Sequence, residues 1–374
     1  MQNNPVSFHI VIGTKAQLIK MFPVIQELQK RNLPYNFIDT GQHPAITRDL
    51  RKAFDLPQPD IYLAGKEKNI SGILQALVWN VKIIFKSIFQ NKKIFNNSKG
   101  ICLVQGDTVS TLQGLIMAKI AKLKVAHIEA GERTHNLFKP FPEEIIRIIV
   151  DKFADYAFAS SEVARQNLLN EKIKGEIINV RCNTIMDAVR IAASQESIRI
   201  DVPDTYVLVS IHRFETIQSK QRMKILVDAV KKTSEQFQIV WGLHEPTRKQ
   251  LIKFNLLKAL ENNEKIHLRG LWDYFDFVKA IKMSDFLITD GGGPQEESYF
   301  LNVPCMLMRS ETEREYHPNV YLTKFEPDRI DFFIENYKQF GRETEEESLN
   351  PSKLIVDFLE QKLQNQRQLE TNPQ

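Results

Sequence analysis

No run in this sequence reaches the roughly 18 apolar residues that a membrane span needs. The N-terminus, MQNNPVSFHIVIG, lacks the basic stretch and apolar core of a secretory leader. Cysteine is scarce, and Cys102, Cys182 and Cys305 sit in separate apolar runs without CxxC spacing. That argues against a disulfide framework and a zinc site, and fits buried thiols in a reducing compartment. Neither sign of charge prevails, since 50 Lys+Arg face 46 Asp+Glu for a net charge of +4, too even for a nucleic-acid footprint. The GxGxxG fingerprint of a dinucleotide fold is missing too. The expectation is a cytoplasmic protein with no metal, no cofactor and no nucleic-acid partner.

One stretch bears on that address. Residues Ile70 to Gln90 (ISGILQALVWNVKIIFKSIFQ) are strongly apolar, broken only by Lys82 and Lys86 and followed by Lys92 and Lys93. An interfacial membrane helix is one reading; the favoured one is a long helix packed on a sheet, with two lysines facing water and no membrane contact.

What is present points to two domains. The chain has 374 residues, 43% of them hydrophobic, against about 100–200 residues per domain. Short β-branched runs ending in Gly, Asp or Ser alternate with amphipathic helical stretches, the pattern of parallel βα units. Phe8 to Thr14, Tyr35 to Gly41, Ile101 to Asp107, Lys124 to Gly131 and Tyr156 to Ser161 make a first doubly wound sheet. A less regular stretch from EIINVRC leads to Pro203, after which YVLVSIHR, QIVWGLHE, KIHLRG, FLITDGGG and PCMLMR make a second. Open α/β sheets bind ligands beyond the carboxyl ends of their strands, so residues at those ends in both halves should face one crevice.

Several strand ends carry chemistry. Gly13 and Thr14 open a helix with Lys15 beside its N-terminus, an arrangement suited to a diphosphate or merely to a strand-to-helix turn. In DGGGPQEE, Gly291, Gly292 and Gly293 let backbone N–H groups approach phosphate, and Pro294 can start the helix. Of Glu296 and Glu297, at least one should turn from a phosphate, and a ribose diol is a natural partner for a carboxylate. Asp107, Glu129, Glu143 and Glu144 cluster at strand ends of the first half, with His212 at one of the second. Proton transfer near neutral pH fits this set. Helix capping for Asp107, helix-start charge for the two glutamates and a strand-end hydrogen bond for His212 are the structural alternatives.

Read in order, GTKAQLIKM, TGQH, QGDT, HIEAGERT, PFPEE, CNTIMDA, HRFE, DGGGPQEE and RSETERE resemble the landmarks of the non-hydrolysing UDP-N-acetylglucosamine 2-epimerases, from Gly13 to Glu315. The resemblance implies an α/β protein of GT-B architecture, two Rossmann-like domains around a central cleft. Residues 1–168 with 355–374 would form the N-terminal domain, bearing the catalytic carboxylates, and 169–354 the UDP-binding domain. It also implies inversion at C2 of a UDP-N-acetylhexosamine, through UDP elimination to a 2-acetamidoglucal and re-addition.

By motif match, Asp107, Glu129 and Glu143 are the expected catalytic carboxylates, with His212 as a diphosphate contact or proton-transfer partner. Lys15, Arg147, Phe277, Gly291, Gly292, Gly293, Glu297 and Arg314 are expected substrate contacts. Gln42, Arg213 and His244 sit where relatives bind a second UDP-sugar. A homodimer and a role in capsule or other surface-polysaccharide synthesis are implied in the same way.

Departures bear on which sugar is used. Lys15 replaces the usual arginine, keeping the charge but losing the bidentate fork. Ala16-Gln17 stands for Pro-Glu, Ile146 for asparagine, Cys182 for glycine, Gly291 for serine and Glu132 for an apolar residue. Two further readings stay open: a GT-B glycosyltransferase using a UDP-sugar, and a hydrolysing 2-epimerase that releases ManNAc.

Overall fold

The computed structural model describes residues 7–42, 44–64, 73–96, 99–137, 141–195, 201–312, 317–341 and 349–371. The chain divides into two compact units, Met1–Ala188 with Leu349–Gln374, and Val189–Ser348.

In the first unit the strands are β1 (Phe8–Ile12), β2 (Tyr35–Asp39), β3 (Ile61–Tyr62), β4 (Ile101–Gln105), β5 (Lys124–Ala130), β6 (Tyr156–Ala159) and β7 (Glu176–Asn179). Among the described residues they form one sheet in the order β3-β2-β1-β4-β5-β6-β7. In the second, β8 (Val207–Ser210), β9 (Ile239–Gly242), β10 (Ile266–Arg269), β11 (Phe286–Thr289), β12 (Cys305–Leu307) and β13 (Val320–Leu322) follow the order β10-β9-β8-β11-β12-β13. Every pairing recorded in either sheet is parallel. The expected α/β class with two Rossmann-like sheets is therefore what the chain forms.

All ten runs picked out in the sequence are strands. β3, β7 and β13 add to them, and β7 comes from the stretch that reads as irregular. In both sheets the chain order reverses between the first strand and the fourth, at β1/β4 and β8/β11. That reversal leaves a crevice at the carboxyl ends of a doubly wound sheet.

Parallel strands covered on both faces must be apolar throughout, and β1, β4, β8 and β11 are buried at every position. Trp241, Phe286 and Phe333 anchor the second core. Cys102, Cys182 and Cys305 are buried, and burial pushes the thiols of Cys102 and Cys305 up to about 12. The helix Pro351–Thr371 closes the first unit. There Arg31 pairs with Asp357 at 2.7 Å and Glu360 at 3.1 Å, and Phe358 meets Tyr156 and Phe158 edge-on.

The helix Ile73–Phe89 departs from expectation. Trp79 and Ile83 pack into the first core, and Trp79 Nε1 donates to the Thr40 carbonyl at 2.9 Å. Lys82 faces water, but Lys86 is half-buried and reaches the Leu63 carbonyl. The outer face is apolar, with Val78, Val81, Ile84, Phe85, Ile88 and Phe89 all exposed. This helix packs on the helix Val109–Ile120, and its apolar residues exceed what that one side can bury. Among the described residues, no helix is long and apolar enough to cross a membrane.

Candidate active site

Asp107 and Glu129 leave adjacent parallel strands at the same edge, because β4 and β5 pair in register from Ile101/Lys124 to Gln105/Ile128. At Glu129 the pairing of β5 with β6 slips, and the residue takes a left-handed φ of 67°. A bulge of this kind re-aims a side chain at a strand end. Gly131, two residues on, has φ 84° and lies so close to Ala164 that a Cβ would fall 2.2 Å from its carbonyl oxygen. Only glycine fits that turn.

The Glu129 carboxylate is held by a buried cation. Lys20 Nζ donates to both of its oxygens at 2.7 Å, with each side chain 8% exposed. Gln105 donates to it as well. Lys20 lies on the helix Lys15–Lys30, which a capping box starts: Thr14 Oγ1 accepts from the Gln17 N–H, and Gln17 Oε1 accepts from the N–H groups of Thr14 and Gly13. The Gln17 amide then donates to the Gln105 carbonyl at 2.9 Å, locking this helix start to β4. Lys15, the first helical residue, is exposed. At Gly13 a Cβ would fall 2.0 Å from Ser110 Oγ, so the β1 end passes tightly over the helix after β4.

A second ionic network holds the Asp107 loop. Arg147 donates to Asp107 and, at 3.0 Å, to Glu144, whose other oxygen accepts from the N–H groups of Thr134 and His135. Glu143 starts the same helix, Glu143–Phe153, and its buried Oε2 has no hydrogen-bond partner among the described residues. Behind Asp107, His127 spans two acceptors, the Gly106 carbonyl at 2.8 Å from Nε2 and Asp151 at 2.6 Å from Nδ1. Arg133 also pairs with Asp151, at 2.8 Å. Burial would push the Asp151 carboxyl up, but His127 and Arg133 hold it below its usual range.

The second unit builds its strand ends from backbone and glycine. Fully buried Asp290, after β11, accepts from the N–H groups of His212 and Arg213 at 3.0 Å each. The His212 ring stacks on His244, which follows β9, with centroids 4.7 Å apart. Gly291 is the N-cap of the helix Gly292–Phe300 and offers no side-chain cap, which leaves the first N–H groups to an outside acceptor. A Cβ at Gly291 would stand 2.9 Å from His212 Cε1 and from Pro294 Cδ, so this glycine makes room for the histidine. Buried Gln295 Nε2, in the first turn, has no partner among the described residues. Glu297 lies beside buried Tyr274, and burial together with that carboxylate pushes the phenol well above its ordinary value.

The switch point of the first unit carries acids, and that of the second opens on an anion-ready helix start. The sequence model described as UDP-N-acetylglucosamine 2-epimerase matches residues 26–339. The chain belongs to the UDP-N-acetylglucosamine 2-epimerase family. Its curated relative from Methanocaldococcus jannaschii, a UDP-N-acetylglucosamine 2-epimerase, is 34% identical over 322 residues, 82% of this chain and 84% of that one. The M. jannaschii UDP-GlcNAc 2-epimerase in complex with UDP-GlcNAc and UDP superposes with a TM-score of 0.78 at 29% identity, covering 95% of this chain and 99% of that one. The Neisseria meningitidis UDP-GlcNAc 2-epimerase bound to UDP-GlcNAc gives 0.79 at 28% identity, over 95% and 100%.

In this epimerase-family chain, Asp107 and Arg147 share one network, Glu143 starts the helix that carries Arg147, and Glu129 stands on the neighbouring strand end. Gln42 accepts from Ser110 Oγ at 2.6 Å near Gly13. Phe277 is half-buried against the second core, and Arg213 reaches Glu215 at 3.4 Å. Arg314 lies outside the described residues. Sequence reasoning missed Lys20, Gln105, His127, Arg133 and Asp151. Lys20 had a signal: it interrupts the apolar helix run LIKMF, where a lysine needs a counter-ion.

Proposed function

We propose that this chain inverts C2 of a UDP-N-acetylhexosamine, UDP-GlcNAc to UDP-ManNAc or a related derivative. A base removes the C2 proton, the C1–O bond to UDP breaks, and the electron pair forms the C1=C2 bond of a 2-acetamidoglucal. Protonation of C2 from the opposite face and return of UDP to C1 complete the inversion. The observation that carries this reading is the set of carboxylates at the ends of β4 and β5 and at the start of the helix Glu143–Phe153, in unlike settings, within a family of which two solved members are bound to UDP-GlcNAc.

Glu129 paired to Lys20, and Asp107 paired to Arg147, are fixed negative charges suited to oxocarbenium-like charge at C1. Glu143, with a buried oxygen that accepts no hydrogen bond among the described residues, is suited to carry a proton. Lys15 and the N–H groups of Gly292 and Gly293 serve the diphosphate, with His212 and Arg314 as further contacts. Glu297 serves the ribose, Phe277 the uracil, and Gln42 and Arg213 a UDP-sugar. Arg147 acts through Asp107. On the same reading the enzyme works in the cytoplasm as a homodimer and supplies surface-polysaccharide synthesis.

Incubation with UDP-GlcNAc in deuterated water, followed by NMR, tests the reaction. Deuterium at C2 in intact UDP-ManNAc supports it. Free ManNAc with UDP would mark a hydrolysing enzyme, and no exchange with any UDP-N-acetylhexosamine would overturn epimerisation in favour of sugar transfer. Asp107→Asn should slow exchange by about 10²–10⁴-fold while UDP binding persists.

A further inference from the structure

Glu143, Arg147 and Asp151 stand at four-residue steps on the helix Glu143–Phe153 and so share one face. The first is a candidate acid, and the second holds Asp107. Asp151, fully buried, uses both of its oxygens. Oδ1 meets His127 Nδ1 at 2.6 Å, while Oδ2 accepts from the Gly131 N–H at 3.1 Å and pairs with Arg133 at 2.8 Å. His127 extends the hold, since its Nε2 donates to the Gly106 carbonyl at 2.8 Å. Gly106 takes a left-handed φ of 69°, and its N–H donates to the Ile128 carbonyl at 3.0 Å. β5 therefore grips the residue before Asp107 twice, once by backbone and once by side chain. Gly131 comes two residues after Glu129, and the Asn167 amide donates to its carbonyl at 2.9 Å. One buried carboxylate thus ties down the chain beside both strand-end acids, from the helix that starts with Glu143.

Hydrogen-bond roles fix the charge of the ring. A backbone carbonyl can only accept, so Nε2 must carry hydrogen. Burial would push the Asp151 carboxyl up, yet His127 and Arg133 hold it below its usual range, so it accepts as a carboxylate and Nδ1 donates as well. A ring that donates through both nitrogens is an imidazolium. The charges then balance, His127 and Arg133 against Asp151 and Glu171, which meets Arg133 at 2.7 Å. Removing one member of such a buried set strands the others, so the set holds its geometry firmly.

We propose that Asp151 and His127, a buried carboxylate–imidazolium pair, are positioning residues that set the relative placement of Asp107, Glu129 and Glu143. They touch no substrate and act through the Gly106 peptide, the Gly131 turn and the helix Glu143–Phe153. A small displacement of a reacting group is enough to slow a reaction by about 100-fold. The inference rests on the epimerase reading, so its test pairs activity with a readout that does not depend on turnover.

NMR of the full chain with nitrogen-labelled histidine should show one ring with slowly exchanging protons on both nitrogens at neutral pH, a signal absent from His127→Gln. In that variant C2 deuterium exchange at saturating UDP-GlcNAc should fall by about 100-fold, while calorimetry finds UDP affinity unchanged. His9→Gln, at another fully buried histidine of the same sheet, should keep the parent rate. A His127 ring with a single proton overturns the proposal, as does parent-level exchange in His127→Gln or a parallel loss of UDP binding. An equal loss in His9→Gln would mark general weakening of the sheet and overturn it too. If His127→Gln does not fold, Asp151→Asn is read in its place for exchange and UDP affinity, alongside the ring signal of the parent. A parent that exchanges no UDP-N-acetylhexosamine overturns the epimerase reading instead, and the ring signal then decides this one.

Discussion

The two switch points of this molecule solve the same problem with different materials. In the first unit the strand ends are held by side-chain ion pairs: Lys20 to Glu129, Arg147 to Asp107 and Glu144, and Arg133 with His127 to Asp151. In the second they are held by backbone N–H groups on Asp290, by glycine and by two stacked imidazoles, one of them on the 41% exposed side chain of His212. A centre that stabilises positive charge needs carboxylates fixed before the reaction begins, and buried cations fix them. A phosphate site needs close approach of the main chain, which glycine allows and side chains obstruct. The first arrangement depends on charge balance in a dry interior, the second on steric room.

On that contrast, removing one charge from the first unit should be the most damaging change. Lys20→Met strands Glu129 without its cation and should cost about 3–5 kcal/mol of stability in denaturant unfolding. A loss no larger than that from a surface substitution would erase the difference between the units.

Acid should act on the first unit next. Burial lowers His9 to about 4, against 6.5 in the unfolded chain. The unfolded chain therefore takes up the proton first as pH falls below 6.5, and stability should drop by about 3 kcal/mol before levelling near pH 4. His9→Gln should flatten this limb in urea titrations across that range, and an unchanged slope would place the sensitivity elsewhere.

In the second unit the expected effects are smaller. Gly291→Ala places a methyl against the His212 ring and Pro294, and should cost about 1–2 kcal/mol in thermal or urea unfolding. A neutral result would show that the histidine swings away freely. His244→Ala removes the imidazole stack and should change stability by less than about 1 kcal/mol. A loss of several kcal/mol would make this half as dependent on side chains as the other.

Most of the ten strands read from the sequence were legible because a parallel strand covered on both faces must be a nearly unbroken apolar run ending in a small or polar residue. β3, β7 and β13 stand at sheet edges, where Ile61–Tyr62 and Glu176–Asn179 are only partly buried and so lack that run. The acids Asp107, Glu129 and Glu143 stood out at strand ends and a helix start. Their partners did not, because Lys20 comes 109 residues before Glu129 and Arg147 40 residues after Asp107, and no local spacing joins them.

Sequence by itself determined the βα alternation, the two sheets and the acids and glycines at their carboxyl ends, because periodicity and turn chemistry are local. Tertiary structure alone decided which cation holds which carboxylate, that Gly291 makes room for an imidazole, and that the outer face of the helix Ile73–Phe89 is left uncovered by the described residues. Those outcomes depend on which side chains meet across long separations, and on how much of an apolar helix its packing partners can bury.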